Sequence, residues 1–362
     1  MLVLALETSC DETAAAVVRD GVEVLSSVVA SQYDLHAEYA GVVPEIASRA
    51  HVEAVLPVVR EALEQAGCGL GMIDAIAVGN RPGLIGSLLV GVASGKALAW
   101  SLRKPLIGVD HVAAHVYSGM LERGAEGERE LFPALGLVVS GGHTAMYHVA
   151  SWTQMHRIGT TIDDAMGEAY DKVATMMQLP HPGGPNLDRL ASDSQANDRA
   201  FDLPISRLST TSLDFSFSGL KTSVLYTLRG VPGERGGTAP MELTPQTTRD
   251  LAASFQRAAC KAVTLKLTRA IEQARERGVV YRTLLCGGGV TANSRLRREL
   301  LSFETSHKLA VRLPPMRYCM DNAAMIAGLG EQLLRAGHRD VMDLQATPTI
   351  SIPTTPAQVG AR

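Results

Sequence analysis

Leu2-Val3-Leu4-Ala5-Leu6-Glu7-Thr8-Ser9-Cys10-Asp11-Glu12-Thr13 reads as a buried strand running into a polar turn, and Ala14–Val18 returns as a second strand. The stretch is a hairpin whose turn carries acids. Val22–Ala30 reads as a third strand, and Glu45–Ala66 has helical apolar spacing broken only by Pro57. Ile73–Val78 is a strand, Gly79-Asn80-Arg81-Pro82-Gly83 a tight loop, Ile85–Leu102 a long apolar helix, and Pro105–Val109 a strand that leads into a helix at His111. From Ala134 the order starts again. Ala134–Val139 is a strand, Ser140-Gly141-Gly142-His143-Thr144 a polar turn and Ala145–Val149 a returning strand. Further on, Thr283–Cys286 is a strand, Gly287-Gly288-Gly289 a tight loop and Thr291–Leu301 a helix. Lys308–Arg312 is then a strand leading through Pro314-Pro315 into a helix at Cys319–Leu334. The chain therefore reads as a duplicated α/β fold.

Open α/β sheets bind ligands beyond the carboxyl ends of their strands, so two such halves facing each other enclose a cleft. His111 and His115 lie at i,i+4 on one helix, side by side, as a shared metal requires. The spacing alone also serves packing or solubility. The repeat equates the start of the His111 helix with the region of Asp321 and places Asp321 opposite the histidines across the cleft. Two imidazoles and one carboxylate with open positions suit one divalent metal, iron(II) first and zinc second. The competing reading makes Asp321 an N-cap.

Asp11 and Glu12, at the tip of the first hairpin, are candidates for a general base or for positioning a metal's water. The turn Ser140–Thr144 and the run Gly287–Gly289 expose backbone N–H groups that a phosphate can accept, and each is equally a tight turn. Asn293 can bond a ribose or base edge, or face solvent. An acidic helix within Ile158–Met177 sets Gly167 and Asp171 on one side, and a glycine there implies that something approaches closely. Pro182-Gly183-Gly184-Pro185-Asn186-Leu187-Asp188 reads as a rigid turn, Gly230–Pro240 as a flexible loop, and Thr347–Arg362 as a poorly ordered tail. Neither GxxxxGK[ST] nor GxGxxG occurs, which disfavours the P-loop and dinucleotide folds.

The 362 residues, 46% of them apolar, are enough for two domains. The boundaries read as 1–130 with a helix at about 321–340 packing back on it, then 131–320, with 345–362 as tail. Cys10, Cys68, Cys260, Cys286 and Cys319 form no CxxC pair, so a reducing cytoplasm is expected, without disulfides or a zinc ribbon. No basic leader and no segment of about 20 apolar residues is apparent, so no membrane role is expected. A net charge of −3 and 4% aromatic content argue against coating nucleic acid unaided. The best basic cluster is Arg295, Arg297, Arg298, Lys308, Arg312 and Arg317.

Nine ordered blocks carry a resemblance. They are Glu7–Thr13, Gly41–Arg49, Pro82–Gly91, His111–His115, Val139–Thr144, Pro182–Pro185, Phe215–Lys221, Gly287–Asn293 and Tyr318–Ala324. Together they resemble TsaD, the tRNA threonylcarbamoyladenosine transferase family. The resemblance implies the duplicated actin-like ATPase and sugar kinase fold. It implies transfer of threonylcarbamoyl from threonylcarbamoyl-AMP to the exocyclic amine of the adenosine 3′ of the anticodon, in tRNAs reading codons that begin with A. By the family motifs His111, His115 and Asp321 are metal ligands. Val138, Val139, Ser140, Gly141 and Gly142 cradle the adenylate, and Asp171, Gly184, Asp188 and Asn293 hold ribose and base. Asp11, with Glu12 second, is the candidate proton acceptor. The implied partners are tRNA, a TsaB-like paralogue and a TsaE-like ATPase.

Two positions depart from the family: Ala113-Ala114 where relatives carry a glutamate, and His181 where they carry tyrosine. A metallopeptidase would need an acid beside the histidines, and Val112, Ala113 and Ala114 supply none. A small-molecule kinase of the same fold is the stronger rival. A non-catalytic scaffold should lack the ligands that this chain keeps.

Overall fold

Strand β1 (Leu2–Glu7) is apolar up to its last residue and buried from Val3 onward, as a strand covered on both faces requires. It pairs antiparallel with β2 (Glu12–Arg19), which pairs antiparallel with β3 (Glu23–Ser31). On its other side β1 runs parallel to β4 (Ala75–Arg81), and β4 parallel to β5 (Leu106–Asp110). The sheet order is β3-β2-β1-β4-β5. The remaining strands are β6 (Ala134–Val139), β7 (Thr144–Ser151), β8 (Gln154–Thr160), β9 (Thr283–Gly287) and β10 (Ala310–Arg312). They form a second sheet in the order β10-β9-β6-β7-β8, with β6 parallel to β9. Adding five to each strand number turns the first order, read backwards, into the second, so the duplication expected from the sequence is present, completed by β8, a strand the sequence reading did not give.

This computed structural model describes residues 1–37, 39, 41–123, 128–206, 208–230 and 241–349. The loop expected at Gly230–Pro240 lies, beyond Gly230, outside the described residues, as does the expected tail from residue 350 on. The chain divides into two compact units, one of Met1–Leu131, Val149–Met155 and Arg312–Pro353, the other of Phe132–His148 and His156–Val311 with Thr354–Arg362.

In the first unit, helices Pro44–Gln65 and Ile85–Leu102 pack on each other and on the sheet. Pro57 sits inside the first of these without ending it. Ile85–Leu102 is long and apolar enough to cross a membrane by length and composition, contrary to expectation. Its face of Leu88, Val92 and Ala99 is buried, and the helix packs on β4. Helix Ala323–Arg335, buried from Ala323 through Glu331, covers β1, β2, β4 and β5 and touches helix His111–Tyr117. Beyond it the chain makes a bridge from Asp340 to Leu106, sinks Leu344 into the core, and donates the Thr347 N–H to the Asn80 carbonyl at 2.9 Å.

In the second unit, the 32-residue helix Pro245–Glu276 packs against helices Gly183–Ala191, Ser218–Arg229 and Ser294–Leu301. The Pro182–Asp188 stretch is not a turn but the start of helix Gly183–Ala191. Proline is tolerated in a first helical turn, where its missing N–H has no intrahelical partner to lose, so turn-like chemistry here opens a helix.

Candidate functional site

Because β1, β4 and β5 are parallel, their carboxyl ends open on one edge of the first sheet. There Asp110 caps helix His111–Tyr117, its Oδ1 accepting the N–H groups of Val112 at 3.0 Å and Ala113 at 3.1 Å. His111 and His115 follow as buried rings 4.6 Å apart, nearly edge to face. Asp321 Oδ1 lies 3.1 Å from His115 Nε2 and 3.6 Å from His111 Nε2. One ligand atom from each of the three residues falls within 4.8 Å of the others. A divalent first-row metal bound at roughly 2.0–2.2 Å holds its ligands about 3.0–3.5 Å apart, so the trio has the spacing and the donor types to hold one.

The cap of helix Ala323–Arg335 is Asn322, whose side chain accepts the Met325 N–H at 3.0 Å. Capping therefore does not account for Asp321. The histidines and Asp321 also belong to one compact unit rather than to opposite halves. The reason is helix Ala323–Arg335, whose apolar residues find their cover on the first sheet and bring Asp321 with them.

Glu7 ends β1 at the same edge and is 1% exposed. Its Oε1 accepts the Ser9 N–H at 2.6 Å, and its Oε2 meets Nδ1 of His111 at 3.1 Å as an ion pair. Gly79 on β4 makes room for it, because a Cβ there would stand 2.4 Å from Oε2. Burial pulls the His111 pKa down, but Asp321, Glu7 and Asp110 outweigh it and push it up to about 10. At His115 burial prevails and lowers the pKa despite Asp321. Glu12 is pushed up to about 9 by burial and then by Asp321, Asp11 and Glu7. Burial, with Asp11 next, raises the Cys10 thiol as well. Glu7, Asp11, Glu12, Asp110 and Asp321 crowd this edge, and a divalent cation on His111, His115 and Asp321 is the compensating charge their chemistry fits. His51, fully buried, fixes the turn by bonding Thr13 Oγ1 at 2.7 Å and the Cys10 carbonyl at 3.1 Å.

The candidate adenylate residues gather at the matching edge of the second sheet. Val138 and Val139 are buried in β6. The turn after them closes through Ser140 N–H to the His143 carbonyl at 2.7 Å, and nothing lies within 4 Å of a Cβ built on Gly141 or Gly142. What approaches Gly167 is this turn, since a Cβ there would stand 2.7 Å from the Ser140 carbonyl. Asp171 Oδ1 accepts the Gly183 N–H at 3.0 Å, and Gly184 faces open space. Asp188 accepts Ser294 Oγ–H at 2.7 Å and Gln256 Nε2–H at 3.0 Å. Asn293 caps helix Ser294–Leu301, accepting the Leu296 N–H at 3.0 Å and donating to Gln256 at 2.8 Å. Gly288 joins the loop after β9 to β6, with φ +93° and its would-be Cβ 2.4 Å from the Val139 carbonyl. No side chain fits there.

Within the basic cluster, Arg295 is paired with Asp198 at 2.7 Å and Glu299 at 2.9 Å and Arg317 with Glu122; Arg312 and Arg317 belong to the first unit, and Arg295, Arg297, Arg298 and Lys308 to the second. Glu7, His51 and Asp163 carry no role in the sequence reading. Asp163 accepts from Ser216 Oγ at 2.6 Å and from Phe217 N–H at 2.8 Å, tying the Phe215–Lys221 block to the stretch before helix Met166–Met176. For Glu7 a signal was present, an acid closing an otherwise apolar strand.

The sequence matches the family profile described as tRNA N6-adenosine threonylcarbamoyltransferase over residues 23–328. It is 49% identical over 349 residues to the protein of that description from Trichlorobacter lovleyi, covering 96% of each chain. It is 47% identical over 346 residues to that of Protochlamydia amoebophila, covering 95% of this chain and 96% of the relative. Among solved structures, HypF from T. kodakarensis superposes with a TM-score of 0.56 at 15% identity, over 92% of this chain and 48% of that one. Full-length HypF in a phosphate- and nucleotide-bound form gives 0.53 at 14%, over 92% and 55%. These likenesses are of fold, and the fold is the duplicated actin-like one.

Proposed function

The chain belongs to the tRNA N6-adenosine threonylcarbamoyltransferase family, and on that premise we propose the donor, the acceptor and the residues of its reaction. It is an acyltransferase that forms threonylcarbamoyladenosine in tRNA. The donor is threonylcarbamoyl-AMP, and the acceptor is the exocyclic amine of the adenosine 3′ of the anticodon in tRNAs reading codons that begin with A. The amine nitrogen bonds to the carbamoyl carbon, the bond from that carbon to the adenylate oxygen breaks, AMP leaves with the electron pair, and the nitrogen gives up one proton.

His111, His115 and Asp321 would hold one divalent metal, iron(II) or zinc, which would supply positive charge to the phosphate or to the carbamoyl oxygen. Asp11 takes the proton, with Glu12 beside it as the second candidate. Asp11 is presented for this by the pinned turn, where its own carbonyl accepts the Gln32 N–H at 3.0 Å. Val138, Val139, Ser140, Gly141 and Gly142 receive the adenylate, the two glycines being open on their side-chain side. Asp171, Gly184, Asp188 and Asn293 line the ribose and base.

A TsaB-like paralogue and a TsaE-like ATPase work with the chain. The exposed apolar side chains Val52 and Leu56 on one helix and Leu89 and Trp100 on its packed neighbour support a protein partner on that face. Five free cysteines support a reducing, cytoplasmic setting.

The observation that carries this reading is the convergence of the three ligand atoms in a chain the family profile matches. Metal analysis with a transfer assay on wild type and His111→Ala tests it. Loss of both metal and transfer in the variant is expected; full activity in a metal-free variant would sink it.

A further inference from the structure

Two oxygens face Nδ1 of His111: Glu7 Oε2 at 3.1 Å and Ser9 Oγ at 3.3 Å. Each ring nitrogen faces a carboxylate oxygen, but Glu7 is the nearer, 3.1 Å from Nδ1 against 3.6 Å from Asp321 to Nε2, so Nδ1 is the better placed to donate and Nε2 to offer its lone pair. Glu7 is itself held. Its other oxygen is engaged by the Ser9 N–H at 2.6 Å, and its Oε2 has no hydrogen bond of regular geometry among the described residues, only the 3.1 Å approach of His111 Nδ1. A buried carboxylate at the end of an apolar strand is costly unless it meets a positive or donating partner, and here that partner is a candidate metal ligand. His115 differs: its Nδ1 is buried and has no such acceptor among the described residues.

We infer that Glu7 is a positioning residue for the metal centre: it fixes the tautomer and the ring orientation of His111 so that Nε2 is presented as a ligand, and Gly79 is glycine to leave that carboxylate its place. The inference rests on the metal reading above. Carboxylates behind ligating histidines are worth about 10–100-fold in metal affinity. Glu7→Ala should therefore weaken the site by that factor, and Glu7→Gln by less, because its one amide oxygen can still accept from His111, though not from Ser9 as well. Gly79→Ala keeps every charge and displaces the end of a flexible side chain, since its new methyl would stand 2.4 Å from Oε2. It should weaken the site as Glu7→Ala does.

The test is titration of the full chain with Zn2+ against a chromophoric chelator under reducing conditions, for wild type, His111→Ala, Glu7→Ala, Glu7→Gln and Gly79→Ala. Thermal melts of the metal-free proteins confirm folding. One ion per wild-type chain, none in His111→Ala, and weakened affinity in Gly79→Ala and in whichever Glu7 variants fold support the role. Wild-type affinity in Gly79→Ala and the folded Glu7 variants, with His111→Ala still inactive in binding, overturns the role of Glu7 alone. Failure of the wild type to bind overturns the metal reading and the role of Glu7 with it.

Discussion

The turn after β1 and the turn after β6 occupy equivalent places in the repeat, yet they share almost no chemistry. The first carries Glu7, Asp11 and Glu12, sets Glu7 against His111 and is pinned from outside by His51. The second is Ser140-Gly141-Gly142-His143, closed by its own backbone and bare of side chains on its glycines. Even their supports correspond. A Cβ on Gly83 would stand 2.4 Å from the Ser9 carbonyl, as one on Gly288 would from that of Val139. The shared backbone decides where a ligand meets the sheet edge; the side chains decide whether it meets carboxylates or bare N–H groups.

Four substitutions bear on that contrast. Asp321→Ala removes the carboxylate that joins the two histidines, and bound metal should fall from one per chain to near none by elemental analysis. Retention of one ion would mean that the first turn's acids hold it without Asp321. Asp11→Ala should slow single-turnover transfer from purified threonylcarbamoyl-AMP to tRNA by about 10²–10⁴-fold, the usual worth of a general base; an unchanged rate removes Asp11 from that role. Gly288→Ala forces a side chain into a positive-φ position against a carbonyl, and denaturant unfolding should show a loss of about 2–3 kcal/mol. Gly142→Asp places a charge where the second turn is bare. It should raise the KM for the adenylate about tenfold, roughly 1.4 kcal/mol, with the melting temperature nearly unchanged. An unchanged KM would show that the second turn does not meet the phosphate.

The strand order was legible because each half announces itself twice, by an apolar strand meeting a polar turn and by a glycine loop between strand and helix. Longer-range matters were not. Helix Pro245–Glu276, which precedes β9 as Pro44–Gln65 precedes β4, buries Ser254, Gln256, Thr264 and Lys266 among its alanines, so no clean apolar stripe marks it. Pro182–Asp188 has the composition of a turn, and only its packing beside Asp171 makes it a helix start. His111 and His115 could be paired from spacing, and Asp321 added from the repeat; the repeat put it across the cleft, while the domain reading that packed the helix at about 321–340 back on residues 1–130 put it on the histidines' side. Which sheet covers helix Ala323–Arg335 is decided by packing, not by local sequence. The partner of Glu7 lies 104 residues away (111 − 7), beyond any periodicity.

Asp321 reaches His115 across 206 residues of sequence. The chain is synthesised from its amino terminus, so the first sheet and both histidines emerge long before their third ligand and before the helix that covers them. Until then the growing chain offers a two-histidine site on a sheet with one face bare, a combination open to adventitious ions and to aggregation. Completion of the candidate centre is thus a late event in biogenesis, and the same segment that seals the core brings its third donor, a carboxylate, to the histidines.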